Sequence, residues 1–137
     1  MTPTVAVDTS VAVPLLLATH GAHAAVDAWA AGRTLVLCGH AAAETYSVLT
    51  RLPAPIRVTA AMAHRVMAES FSGTVTMHQS TAADAVTILA GASIAGGAVY
   101  DGVVALAARD NAITLATRDA RALATYTALG ITTLLVQ

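Results

Sequence analysis

The feature that most constrains this chain is an end-to-end alternation of short β-type runs with longer helical stretches. Thr4 to Val7, Thr34 to Cys38, Thr74 to His78, Ile113 to Thr117 and Ile131 to Val136 are brief runs that predict strands. Between them, spacing predicts helices over Thr9 to Leu17 (with Pro14 in its early turns), His20 to Ala31, His40 to Leu52 and Val58 to Ser70. Three more follow over Thr81 to Ala95, Asp101 to Asn111 and Ala120 to Leu129. Gly32, the Pro53 and Pro55 pair, Gly73, the Gly96-Gly97 pair and Gly130 supply the breaks. Strands joined through helices run parallel, with both sheet faces covered. The expectation is an α/β fold, a three-layer α/β/α sandwich with a mainly parallel central sheet. At 137 residues, with no repeat or low-complexity linker, the chain reads as one domain over 1–137.

Composition narrows the function. The chain is 56% hydrophobic and 11% charged, which excludes disorder and raises the question of a membrane. The longest uncharged stretch, Ala85 to Tyr100, contains Gly91, Gly96 and Gly97 and stops at Asp101, short of the roughly 20 residues of a spanning helix. No membrane association is expected. The first twenty residues lack a basic start, and Asp8 interrupts their apolar run, so no export signal is read. A single cysteine, Cys38, favours a cytoplasmic setting and reads as a buried strand-end residue. All seven basic residues are Arg. Without Lys, a P-loop, a receiver domain and a haloacid-dehalogenase-type phosphatase lose support, and a Schiff base is impossible.

Four acids remain. In a parallel sheet, ligands bind outside the carboxyl ends of the strands. Asp8 directly follows its strand, and Asp119 stands two residues past Thr117. Asp101 is read as opening a helix that descends about 15 Å before the next strand climbs back, which returns the chain to the same edge at Asp119. Glu44 lies one turn into the helix after Thr34 to Cys38. Singly, Asp8, Asp101 and Asp119 each suit a helix N-cap, and Glu44 suits a solvated helix position. Together they place half of the eight acids on one edge, where a positive group should neutralise them. Carboxylates without His or Cys partners suit a hard cation, Mg²⁺ or Mn²⁺, and with it phosphodiester hydrolysis. His40 and Glu44 are spaced i, i+4, but no third ligand of clear spacing accompanies them. His20 and His23 read as surface or capping residues.

These positions and their neighbours resemble the PIN-domain family of nucleases, in particular its VapC-type toxins. Val5-Ala6-Val7-Asp8-Thr9-Ser10 is similar to the family's opening strand with its first aspartate. Glu44 with Leu49 and Arg51, Asp101 on an Ala-rich helix, and Ile113 to Asp119 ending in Thr-x-Asp match in order through nearly the whole chain. The resemblance implies that Asp8, Glu44, Asp101 and Asp119 are catalytic and hold one or two Mg²⁺ or Mn²⁺ ions. It implies that Thr117, with Ser10 or Thr9, supports them through hydroxyl hydrogen bonds. The implied reaction is endoribonucleolytic, with metal-activated water leaving a 5′-phosphate and a 3′-hydroxyl. One departure is Gly102 after Asp101, which is expected to loosen the start of that helix.

The net charge is −1; setting aside the four acids leaves four against seven Arg, or +3 for the remainder. Arg51, Arg118 and Arg121, with Arg57 and Arg65, are candidates for RNA phosphate contacts. Trp29, Tyr46, Tyr100 and Tyr126 read as packing residues rather than base-stacking platforms. Apolar residues in the first helices and in Val58 to Ser70 suggest an association surface. With the resemblance, that surface implies a homodimer and a cognate VapB-type antitoxin. Two rival readings are a structure-specific DNA nuclease and an inactive PIN-like scaffold that only binds partners.

Overall fold

In the computed structural model, which describes residues 3–137, the chain runs β1 (Thr4–Val7), α1 (Thr9–Leu16), α2 (His23–Ala30), β2 (Thr34–Cys38), α3 (His40–Thr50) and α4 (Ala60–Ser70). It continues through β3 (Thr74–Val75), α5 (Gln79–Gly91), α6 (Ala98–Asp110), β4 (Leu115–Thr117), α7 (Ala120–Ala128) and β5 (Thr133–Leu135). A 3-10 turn over Ala54–Ile56, absent from the sequence reading, links α3 to α4. The strands form one sheet in the order β3-β2-β1-β4-β5. Every adjacent pair is parallel, with Val5 opposite Leu35 and Ala6 opposite both Val36 and Leu115.

The two faces follow from the period of two along each strand. Val5, Val7, Leu35, Leu37 and Ala116 point to one side, where they pack with Val11, Ala12, Val26 and Phe71. Ala6, Val36, Cys38 and Leu115 point to the other, against Val104 to Ala108 of α6 and Ala122 and Tyr126 of α7. Helices therefore cover both faces. No helix among the described residues is long and apolar enough to cross a membrane.

The order of strands sets the site. From β1 the chain winds outward through β2 to β3, then returns to the other side of β1 for β4 and β5. The reversal opens a crevice beyond the carboxyl ends of β1 and β4.

The sequence reading of Asp101 as a helix-opening residue is corrected. Helix α6 starts at Ala98 with Gly97 as its N-cap, so Asp101 lies within the first turn. Asp ranks high as a cap, which drew the boundary to it, but α5 already ends at Gly91 and the Gly96-Gly97 pair begins the next helix. Predicted ends elsewhere shift as well: β3 is two residues rather than Thr74 to His78, and α2 begins at His23 rather than His20.

The expectation that Gly102 loosens α6 is also revised. A Cβ at Gly102 would overlap the Leu89 Cδ2 methyl of α5, and Leu89 is itself in the core. Glycine there permits the close crossing of α5 and α6. Gly39 does similar service at the start of α3: its φ of 53° is left-handed, and an added Cβ would lie 3.1 Å from Ala107 Cβ. Replacing Gly102 by Val is expected to cost about 1–3 kcal/mol by overpacking, read as a lower urea midpoint at unchanged slope.

Candidate active site

Asp8 leaves β1 and becomes the N-cap of α1, so its backbone is extended while its side chain turns back over the helix start. It is only 6% exposed. A buried carboxylate needs donors, and it has three. Oδ1 accepts the Ser10 N–H at 3.0 Å and the Ser10 Oγ–H at 2.6 Å, while Oδ2 accepts the Tyr126 hydroxyl at 2.7 Å. The Asp8 N–H donates to Ala116 O at 3.3 Å, which ties the end of β1 to β4.

The hydroxyl protons follow by elimination, because an ionised carboxylate only accepts. Ser10 gives its one proton to Asp8, so in the 3.2 Å contact between Ser10 Oγ and Thr117 Oγ1 it is Thr117 that donates. Ser10 Oγ also accepts the Arg118 N–H at 2.8 Å, and Thr117 Oγ1 accepts the Asp119 N–H at 3.1 Å. The chain Thr117 to Ser10 to Asp8 thus runs across the crevice and sets the loop that carries Arg118 and Asp119. Asp119 caps α7 by accepting the Arg121 N–H at 2.9 Å. Glu44 accepts the Thr9 Oγ1–H at 3.1 Å, a link between α3 and α1.

Asp8, Glu44, Asp101 and Asp119 line one cleft of about 450 Å³, with Thr9, Ser10, His20, Arg118 and Tyr126 among the other walls. The capping explanation is also correct for Asp8 and Asp119; capping is how the backbone aims these two acids. Burial, and then the charges of Asp119, Asp8 and Glu44, hold the Asp101 carboxyl above its ordinary range. The cleft is therefore a field of like charges. Its donors, all carboxylate oxygens, fit a hard divalent cation by type. Among the described residues, no three His, Cys, Asp or Glu side chains already stand close enough to form a ready metal centre.

The remaining predicted residues separate. Thr117 is fully buried beneath the cleft. Arg118 lines it, and its buried Nε has no hydrogen-bond partner. Arg121 lies at the margin, its side chain 96% exposed and its Nε 3.7 Å from Asp119 Oδ1. Arg51 is placed elsewhere, because the step of seven positions from Glu44 carries it about 10 Å down α3, to the helix C-cap. Arg57 donates to Leu52 O at 2.8 Å, and Arg65 pairs with Glu69 at 3.0 Å.

The sequence reading makes Tyr126 a packing residue rather than a base-stacking platform. It is fully buried, but its hydroxyl reaches Asp8 from 118 residues away, and no local pattern announces such a partner. The available signal was general: a buried tyrosine hydroxyl requires an acceptor. Burial and the adjoining Asp8 charge raise the Tyr126 pKa, so it stays a donor. His20 joins the rim with Nδ1 accepting the Ala22 N–H at 3.0 Å just before α2, which has no side-chain N-cap of its own. Cys38 is buried beneath the site, donates to Val104 O at 3.1 Å, and has a pKa pushed up to about 12 by burial first and Asp8 second.

Two outcomes follow from this geometry. Tyr126→Phe leaves Asp8 Oδ2 without its donor and is expected to cost about 1.5–3 kcal/mol in chemical denaturation, the range for a hydrogen bond to a charged group. For Asp101, a folded pKa raised above 3.8 means that its stabilising contribution is complete while the carboxyl is protonated and is lost as pH rises through the raised value. In EDTA at neutral pH, Asp101→Asn should therefore raise Tm, and the gap to wild type should close as pH falls toward 3.8.

Comparison with known proteins places this geometry in a family. The model of the PIN domain matches residues 5–128. Ribonuclease VapC27 of Mycobacterium tuberculosis is 53% identical over 131 residues, 96% of each chain. Ribonuclease VapC40 of the same species is 38% identical over 133 residues, covering 93% of this chain and 95% of the relative. Among solved structures, FitAcB from Neisseria gonorrhoeae superposes with a TM-score of 0.63 at 19% identity, over 95% of this chain and 96% of that one, and shares the fold. The family match spans all four cleft acids, and the chain belongs to the PIN-domain family, among its VapC proteins.

Proposed function

We propose that the protein is a Mg²⁺- or Mn²⁺-dependent endoribonuclease, the toxin of a type II toxin–antitoxin pair. The observation that carries this reading is the convergence of four carboxylates, from the ends of β1 and β4, one turn into α3 and the first turn of α6, on one cleft. The names of the VapC relatives support a ribonuclease over a DNA nuclease. A scaffold that only binds partners would have no use for holding repelling charges around Asp101.

A divalent cation would be held by Asp8, Asp101 and Asp119 with Glu44, and when bound it neutralises the phosphodiester and acidifies water. The protein's own residues prepare that site. Ser10 and Tyr126 hold Asp8 in one orientation, so its oxygens need no reorganisation. Thr9 steadies Glu44 from across the cleft. Arg118 lines the cleft, and its guanidinium is the charge available there to a phosphate oxygen. Arg121 sits at the rim for a neighbouring phosphate.

Partner surfaces belong to the same reading. Tyr46, Ile56 and Met62, on or between α3 and α4, are large apolar side chains at 39%, 41% and 48% exposure, which supports a homodimer or an antitoxin contact there.

The test is to incubate purified protein with single-stranded RNA, and with DNA of the same sequence, in EDTA, Mg²⁺ or Mn²⁺, and to map the ends. RNA should be cut only with a cation, leaving 5′-phosphates. Asp8→Asn and Asp101→Asn should each lose at least about 10²-fold in rate, the scale of removing one preorganised electrostatic group. Equal cutting by wild type and both variants would mean that the cleft is not the active site.

A further inference from the structure

A second cavity, of about 480 Å³, adjoins the acid cleft and shares Glu44 and Asp101 with it. Its other walls are His40, Ala43 and Ser47 of α3, with Gly97 and Tyr100 at the start of α6. Nothing in the hydrolytic machinery described above uses these side chains. His40 and Tyr100 form a stacked pair, with ring centroids 5.2 Å apart and planes at 25°. Both rings are tied to cleft acids by helix geometry: His40 is one turn before Glu44 on the same face of α3, and Tyr100 immediately precedes Asp101 in α6.

Tyr100 is 59% exposed, whereas the packing tyrosine Tyr126 is fully buried. The sequence reading makes Tyr100 a packing residue, and it packs through its contact with His40 at the surface rather than in the core. One side of its ring is covered by His40, and much of the rest stands in water. A flat aromatic surface, braced from behind and opening into a cavity, is what a stacking ligand requires.

We propose that this cavity is a base-binding subsite: a nucleobase next to the phosphate held at the four acids stacks on Tyr100. His40 fixes the ring, and the Ser47 hydroxyl faces the edge of the base. The proposal rests on the reading of the cleft as a nuclease site and adds the substrate element it grips. Continuity through Glu44 and Asp101 assigns the occupant, because a strand whose phosphate lies at the acids has its adjacent base at the second cavity. Every base has a π-face, so the subsite tolerates sequence but demands an unstacked base, which selects single-stranded segments over duplex.

The experiment measures initial rates in Mn²⁺ on a single-stranded RNA, and on versions with an abasic nucleotide at each position beside the cut. It is paired with anisotropy of labelled single-stranded RNA and DNA in Ca²⁺, a hard divalent cation that neutralises the acids. Tyr100→Ala should raise KM on the order of tenfold, the usual effect of losing one stacked base, with kcat little changed. Tyr100→Phe should keep the wild-type KM. One abasic position should reproduce the loss in wild type and add nothing in Tyr100→Ala. If wild type cuts RNA and Tyr100→Ala matches its KM, or if the abasic penalty adds in full to the variant, the subsite is wrong while the ribonuclease stands. If wild type cuts no RNA but its binding of single strands still depends on Tyr100, the ribonuclease reading falls and the subsite stands. Binding and cutting that are both absent overturn the two together.

Discussion

A carboxylate removed almost entirely from water stands at the end of the central strand, and the arrangement around it follows from that burial. Asp8 must be surrounded by donors, or its charge would oppose folding by several kcal/mol. The donors come from distant parts of the chain: Ser10 from the first turn of α1 and Tyr126 from the last turns of α7. Through Ser10, the end of β4 is drawn in as well, by Thr117 and the Arg118 N–H. Satisfying one side chain therefore fixes β1, β4, α1 and α7 relative to one another, at the point where the strand order reverses.

The cleft works against this economy. Asp8 is compensated and Asp119 has Arg121 beside it, but among the described residues Asp101 and Glu44 form no ion pair, and the carboxyl of Asp101 bears the consequence. Stability and function oppose each other here, as is usual where like charges are concentrated. The surrounding scaffold offsets this by close packing. Ala105, Ala107 and Ala108 let α6 lie against the sheet, and Gly102 lets α5 press onto α6.

Much of this was legible in order along the chain. Strand and helix identity, the two-sided burial of the sheet and the placing of Asp8 and Asp119 at strand ends all follow from local periodicity and from turn residues. Boundaries were less legible, because Gly96-Gly97 can end one helix or begin the next, and only the packing of α5 against α6 decides. The tyrosines show the same limit. Tyr100 stands between Val99 and Asp101 and Tyr126 between two threonines, and neither setting tells that one faces solvent beside the cleft while the other is buried against Asp8. Arg51 follows Glu44 in the sequence but not in space, since a helix separates residues along its axis as well as around it.

The sequence by itself determined the alternating elements, the parallel sheet and the set of four acids, because hydrophobic period, breakers and residue chemistry act over a few residues. Only the tertiary structure decided which hydroxyls serve which acid, that Arg118 and not Arg51 enters the cleft, and that His40 and Tyr100 meet beside it. Those contacts join residues tens of positions apart. They are set by how helices cross the sheet and each other, a geometry that no local pattern encodes.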